Sequence, residues 1–251
     1  MATVLATPSR PATFNSGLPG RRYDNYFFSG MALLFLATVF VGFAPTYYLA
    51  GVFHAPLPSR IIHIHGAIFS GWILLLIAQT SLVSAGRVDI HRRLGIAGCV
   101  LAGVMVVVGV LAATDSLVRG FNPSGRDTLA FYIVPLTDMV VFSTLIFLAY
   151  RNRTDPAAHK RLIVVATTAL MIAPIARIPI AWSQRNAAHA AWFTYIALVL
   201  LIAYDLWSTH KLHRVTLWAS AFLIFVHQIR VPISHTAAWH GFARWVIAVA
   251  S

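Results

Sequence analysis

Seven stretches of this chain are each apolar for about as long as a helix needs to cross a ~30 Å hydrocarbon layer, roughly 20 residues at 1.5 Å per residue. They run over Tyr26 to Ala50, Ile61 to Val83, Leu94 to Thr114, Thr128 to Tyr150, Leu162 to Trp182, Ala188 to Trp207 and Val215 to Ile233. Backbone groups in lipid must bond within their own segment and the connections are short, so each run is expected as a helix. The alternating ten-residue segments of a membrane β-barrel do not occur. The expected fold class is therefore all-α, an integral membrane seven-helix bundle over residues 23–234.

The flanks read differently. Residues 1–22 are rich in Pro, Ser and Thr and hold no apolar stretch with a small-residue cleavage site, so they are expected as a disordered tail rather than a secretory signal. After the seventh run, Trp239, Phe242, Val246 and Ile247 recur at helical spacing while His240 and Arg244 take the other side. Residues 235–251 are thus expected as a short amphipathic interfacial helix.

Charge orients the bundle. Only 10% of the residues are charged, where a soluble domain has about a quarter, and Lys+Arg 19 against Asp+Glu 7 leaves a formal net charge of +12. Nucleic acid binding would need those cations clustered on one soluble face. Instead they fall between the apolar runs. Twelve lie in the tail and in the second-to-third, fourth-to-fifth and sixth-to-seventh connections, five lie on the other side, and Arg177 and Arg230 fall within runs. Cytoplasmic loops carry the positive excess, so the N-terminus is expected inside a bacterial inner membrane and the C-terminus outside, with the lipid bilayer as the first partner.

A weak repeat marks the inner face. The third, fifth and seventh runs begin just after His91-Arg92-Arg93, His159-Lys160-Arg161 and His213-Arg214, preceded by Asp89, Asp155 and Thr209 as expected caps. These residues suit contacts with anionic lipid headgroups. A set of haem or metal ligands at that face is the alternative.

Ionisable residues inside a span are costly and mark functional sites by default. With this topology His63 and His65 lie in the outer turns of the second span, Arg177 in the outer part of the fifth, and His227 and Arg230 on one face of the seventh. Asp138 sits near the middle of the fourth, Asp115 closes the third and His189 opens the sixth. Pro135, Pro174, Pro179 and Pro232 lie near these residues, and Gly66 and Gly71 allow a close neighbour or a planar group against the second span. A polar cavity in the outer half is the simplest common cause. Asp138 paired with Arg177 is the plainer alternative, as is anchoring of His189, His235 and His240 at the interface.

His63 and His65 point about 200° apart on a regular helix, so only one faces a common centre. One of them with His227 offers an axial pair for a haem b, with Arg177 or Arg230 on its propionates. Alternatively His63, His65 and His227 with Asp138 offer ligands to a transition metal. Other chemistries lack residues. The only lysines, Lys160 and Lys211, lie at span boundaries, which excludes a retinal Schiff base. All seven acidic residues are aspartates, which excludes a glutamate-built di-iron site, and no HxxxH spacing occurs in a span. The single cysteine, Cys99, excludes a disulfide framework and a thiolate metal site.

The segments HIHGAIFSGWILLLIAQ, DIHRRLGIAG and AHKRLIVVATTALMIAPIAR resemble a group of bacterial polytopic inner-membrane proteins that carry HxHG, HRRLG and HKRL elements. That likeness covers most of residues 60–180 and implies location and architecture, not an activity. The histidines at helix ends are also similar to those of b-type cytochromes and haem-copper oxidase assembly proteins, although the fourth span lacks a histidine to pair with the second. The expected function is redox or quinone-linked work at a haem or metal site. The alternative is a non-catalytic subunit of a larger membrane complex or a small-anion carrier.

Overall fold

A computed structural model describes residues 23–56, 58–121, 127–178 and 187–251. Its helices are α1 (Asp24–Phe43), continued by a π-helical turn (Ala44–Tyr48), α2 (Arg60–Ser84), α3 (Val88–Val118), α4 (Thr128–Phe131), α5 (Ile133–Arg151), α6 (Pro156–Ala169), α7 (Ile172–Ile175), α8 (Ala187–Thr209), α9 (Arg214–Ser234) and α10 (Ala237–Ala250). Seven spans are long and apolar enough to cross a membrane: Asp24–Tyr48, Arg60–Ser84, Val88–Val118, Thr128–Arg151, Pro156–Ile175, Ala190–Thr209 and Arg214–Ser234. The chain is a multi-pass membrane protein with a seven-helix bundle. The tail expected over residues 1–22 lies outside the described residues.

Boundaries move where charged residues join a helix. The third span begins at Val88 rather than Leu94, and the fifth at Pro156 rather than Leu162, so His91 and His159 with their basic neighbours are helical and not in loops. Both helices thus extend past the apolar runs that mark them in the sequence. Asp155 caps α6 as expected, accepting from the amides of Ala157 (3.0 Å) and Ala158 (3.2 Å). Asp89 does not cap; it lies in the first turn of α3 and pairs with Arg87 at 3.5 Å. Thr209 closes the preceding helix, and His213 caps α9 by accepting from Val215 N at 3.2 Å.

The fifth span is the centre of the bundle. Its most apolar window is 72% buried against 11% for the second span, and its mean hydropathy is 1.3 against 2.7 for the third. Protein neighbours replace lipid around it, so Thr167 and Thr168 are fully buried there and Trp72 Nε1 donates to Thr167 Oγ1 at 3.2 Å. Lipid tails are as apolar as leucine and give helices no hydrophobic reason to associate; close packing and interhelical hydrogen bonds do that work. Phe35, Phe142, Leu145, Leu162, Leu201 and Leu223 fill the interior from five spans. A close approach of α1 to α7 needs Gly42, because any Cβ there would run into the Pro174 carbonyl.

The C-terminal helix lies against α3 and α4. Thr236 caps it, Ala243 is fully buried, and Trp239, Val246 and Ile247 pack around Ala113, Leu117 and Tyr132. Phe242 lies at the edge of this contact, 42% exposed with its ring beside those of Tyr132 and Trp239.

Candidate functional site

The spans meet in two sets of ionisable groups, one at the basic end that carries the starts of α3, α6 and α9, and one in the opposite half. At the basic end Arg161 and Asp205 are buried at 3% and 0% exposure and joined by two hydrogen bonds from the guanidinium. The second carboxylate oxygen accepts from Thr216 Oγ1 and from the His213 amide at 3.2 Å. Asp24 bonds Lys160 and accepts from Tyr204 Oη at 2.6 Å. Arg161 is thus a core residue, not a headgroup contact. Sequence reasoning missed Asp205 and Asp24, although Asp205 lies inside an apolar run and carries the same signal that singles out Asp138.

In the opposite half Asp138, His227 and Arg230 are all nearly buried, at 6%, 3% and 5% exposure. Arg230 Nη1 donates to Asp138 Oδ1 at 2.6 Å and to Thr137 Oγ1 at 3.2 Å. His227 Nε2 stands 3.4 Å from the same carboxylate oxygen, and its Nδ1 faces Tyr195 Oη at 3.3 Å. Three spans therefore contribute one connected series, Tyr195, His227, Asp138 and Arg230. Helical spacing brings His227 and Arg230 to one face, as the sequence predicts. Asp138 takes Arg230 as its partner, not Arg177.

Arg177 lies beyond the last helical turn of the fifth span, which ends at Ile175, because Pro174 and the following turn stop the helix. It donates to the Ala173 carbonyl at 2.8 Å and stacks over Phe43 at 4.9 Å. His65 lies within its electrostatic reach and packs on Phe69 with ring centroids 4.0 Å apart. His63 is exposed; Tyr47 Oη donates to its carbonyl at 3.2 Å, and the Tyr47 ring fills the space that Gly66 leaves. Gly71 borders open space instead.

The four expected metal ligands are not drawn into one group. Among the described residues no three His, Cys, Asp or Glu side chains stand close enough to share an ion. The second span packs mainly on the third and first, and the seventh mainly on the fifth and fourth. A bare cation between Asp138 and His227 does not fit either, since the Arg230 guanidinium already neutralises that carboxylate oxygen and would repel the ion. Among the described residues two buried imidazole nitrogens make no hydrogen bond, Nδ1 of His65 and Nε2 of His227, which stands 3.4 Å from Asp138 Oδ1.

The remaining expected residues make local contacts or lie outside the described residues. Asp115 accepts from Arg119 at 2.6 Å and from Ser59 at 3.0 Å, and His240 Nε2 contacts the Ser234 carbonyl at 3.0 Å. His235 closes α9. Pro179 and the His189 side chain fall outside the described residues. The chain matches no protein-family model, and no curated protein or solved structure matches it.

Proposed function

We propose that this multi-pass protein binds the polar head of a quinone-class lipid in the half of the bundle that holds His65, Arg177, His227 and Arg230, as part of redox-linked chemistry in a bacterial inner membrane. The observation that carries this reading is two buried imidazole nitrogens that make no hydrogen bond among the described residues, Nδ1 of His65 and Nε2 of His227, the latter 3.4 Å from Asp138 Oδ1. A buried polar atom without a partner is rare and calls for an explanation such as a ligand. A quinone carbonyl oxygen can accept from an imidazole N–H, and the apolar ring suits an aromatic neighbour such as Phe69 beside His65. Tyr195, His227 and Asp138 in series supply groups that hold and exchange protons close to such a head.

The test is titration of the detergent-purified protein with decylubiquinone, read by quenching of tryptophan fluorescence. Saturable quenching, weakened at least tenfold in His65→Ala or His227→Ala, is the expected result. Quenching that does not saturate, or that both substitutions leave unchanged, overturns the reading. Arg177 favours a second one, an anion carrier or a docking subunit, because its charge meets a carbonyl and an aromatic face rather than a carboxylate. In that case Arg177→Ala abolishes anion flux into liposomes or co-purification of a partner, while decylubiquinone has no effect.

A further inference from the structure

Between α3 and α5 lies an open cleft of about 270 Å³. Cys99, Gly103 and Val106 line one wall and Ser143, Phe147 and Tyr150 the other, each set recurring along one face of its helix. Farther from the basic end the two helices touch, since a Cβ on Gly109 would meet Met139 Sδ at 2.6 Å, whereas Gly103 has nothing within 4 Å. The cleft therefore opens toward the basic end. Apart from the Cys99 thiol its walls are apolar up to the Tyr150 ring, and the Ser143 hydroxyl already donates to the Val140 carbonyl at 3.1 Å. Such a lining suits a hydrocarbon chain.

Charge stands at the basic mouth. Arg153 lays its guanidinium over the Tyr150 ring at 4.6 Å, donates to the Tyr150 carbonyl at 3.2 Å and lies within electrostatic reach of Cys99. Arg92 precedes Cys99 by two helical turns, about 10 Å along the axis, and so shares its face of α3. Both arginines are exposed, and among the described residues neither has a carboxylate within ion-pair distance.

We propose that this cleft binds one anionic phospholipid, with an acyl chain between Gly103 and Phe147 and the phosphate held by Arg92 and Arg153. The site lies outside the one assigned to the quinone and does not rest on that reading. An amphiphile with a negative head matches a cleft that is apolar along its length and cationic at one mouth. A zwitterionic lipid offers the same chains, but its own cation stands against the two arginines. A second copy packed symmetrically on the cleft would bring the same arginines to the same end of the contact, cation facing cation.

The experiment is native mass spectrometry of the detergent-purified full chain, titrated with phosphatidylglycerol and separately with phosphatidylcholine. One phosphatidylglycerol per chain is expected, held at least tenfold more tightly than phosphatidylcholine. Replacing both arginines, Arg92→Gln with Arg153→Gln, removes the preference. Gly103→Leu fills the cleft and weakens phosphatidylglycerol at least tenfold, while His65→Ala and His227→Ala change nothing, which keeps this outcome distinct from that of the quinone titration. In the wild type Cys99 reports occupancy, because phosphatidylglycerol slows its reaction with a membrane-permeant maleimide and the same amount of phosphatidylcholine does not. The proposal is overturned if the two lipids bind alike, or if either cleft variant behaves as the wild type does. A dimer that Gly103→Leu dissociates would assign the cleft to a second copy and overturn it as well. Where the variants fail to fold, equal protection of wild-type Cys99 by the two lipids, or none by either, does the same.

Discussion

Arg230 Nη1 reaches from the seventh span to Asp138 Oδ1 in the fourth, a 2.6 Å contact between two side chains that are each about 5–6% exposed. Together they form a neutral unit in a setting where either charge alone has almost no water to solvate it. Removing one partner from such a pair costs about 3–5 kcal/mol, whereas replacing both is often nearly neutral. Asp138→Asn and Arg230→Met are each expected to lower the unfolding free energy in detergent by that amount. The double variant is expected to recover most of it. Additive losses in the double-mutant cycle would show that the two side chains do not act as a pair.

Gly42 and Gly71 make opposite predictions. A methyl group at Gly42 meets the Pro174 backbone, which cannot step aside as a flexible side chain can, while Gly71 has nothing within 4 Å. Gly42→Ala is expected to destabilise by about 1–3 kcal/mol. Gly71→Ala is expected to be neutral or to stabilise by up to about 1 kcal/mol through helix propensity. Thermal unfolding of the two variants side by side checks the sign.

His213 gives the bundle an acid-sensitive joint outside the spans. Burial, reinforced by the Arg161 guanidinium, holds its imidazole below the usual histidine range. Its neutral Nδ1 accepts from Val215 N. Because the folded value lies below the unfolded value of about 6.5, the stabilisation is present above pH 6.5 and is lost as pH falls through the folded value. His213→Asn keeps a capping oxygen and removes the titration. The melting temperature of the wild type is expected to fall between pH 7 and pH 5 more steeply than that of the variant. Parallel profiles would exclude His213 as the cause.

Orientation is open to direct labelling. In a Cys99→Ser background, Asn152→Cys at the basic end is expected to resist a membrane-impermeant maleimide in whole cells, and Ser251→Cys is expected to react. The reverse pattern would invert the charge-based topology.

Much of the fold was legible in the sequence because a bilayer leaves few solutions. Apolar length alone determines seven helices, and Asp155 before Pro156 reads directly as a cap. Part of the site was legible for the same reason: a charge in lipid stands out, so Asp138, His227 and Arg230 were visible, and a spacing of three put the last two on one face. Their partners were not, because hydropathy records how deep a residue lies and says nothing about which helix stands beside it. Only packing assigns Asp138 to Arg230 rather than Arg177 and draws Asp205 and Arg161 into the core. It also brings His91 to His159, which are 68 positions apart in sequence and 6.4 Å apart ring to ring. The physical reason is that depth is a property of each residue with its solvent, while pairing is a property of two helices and the shapes between them.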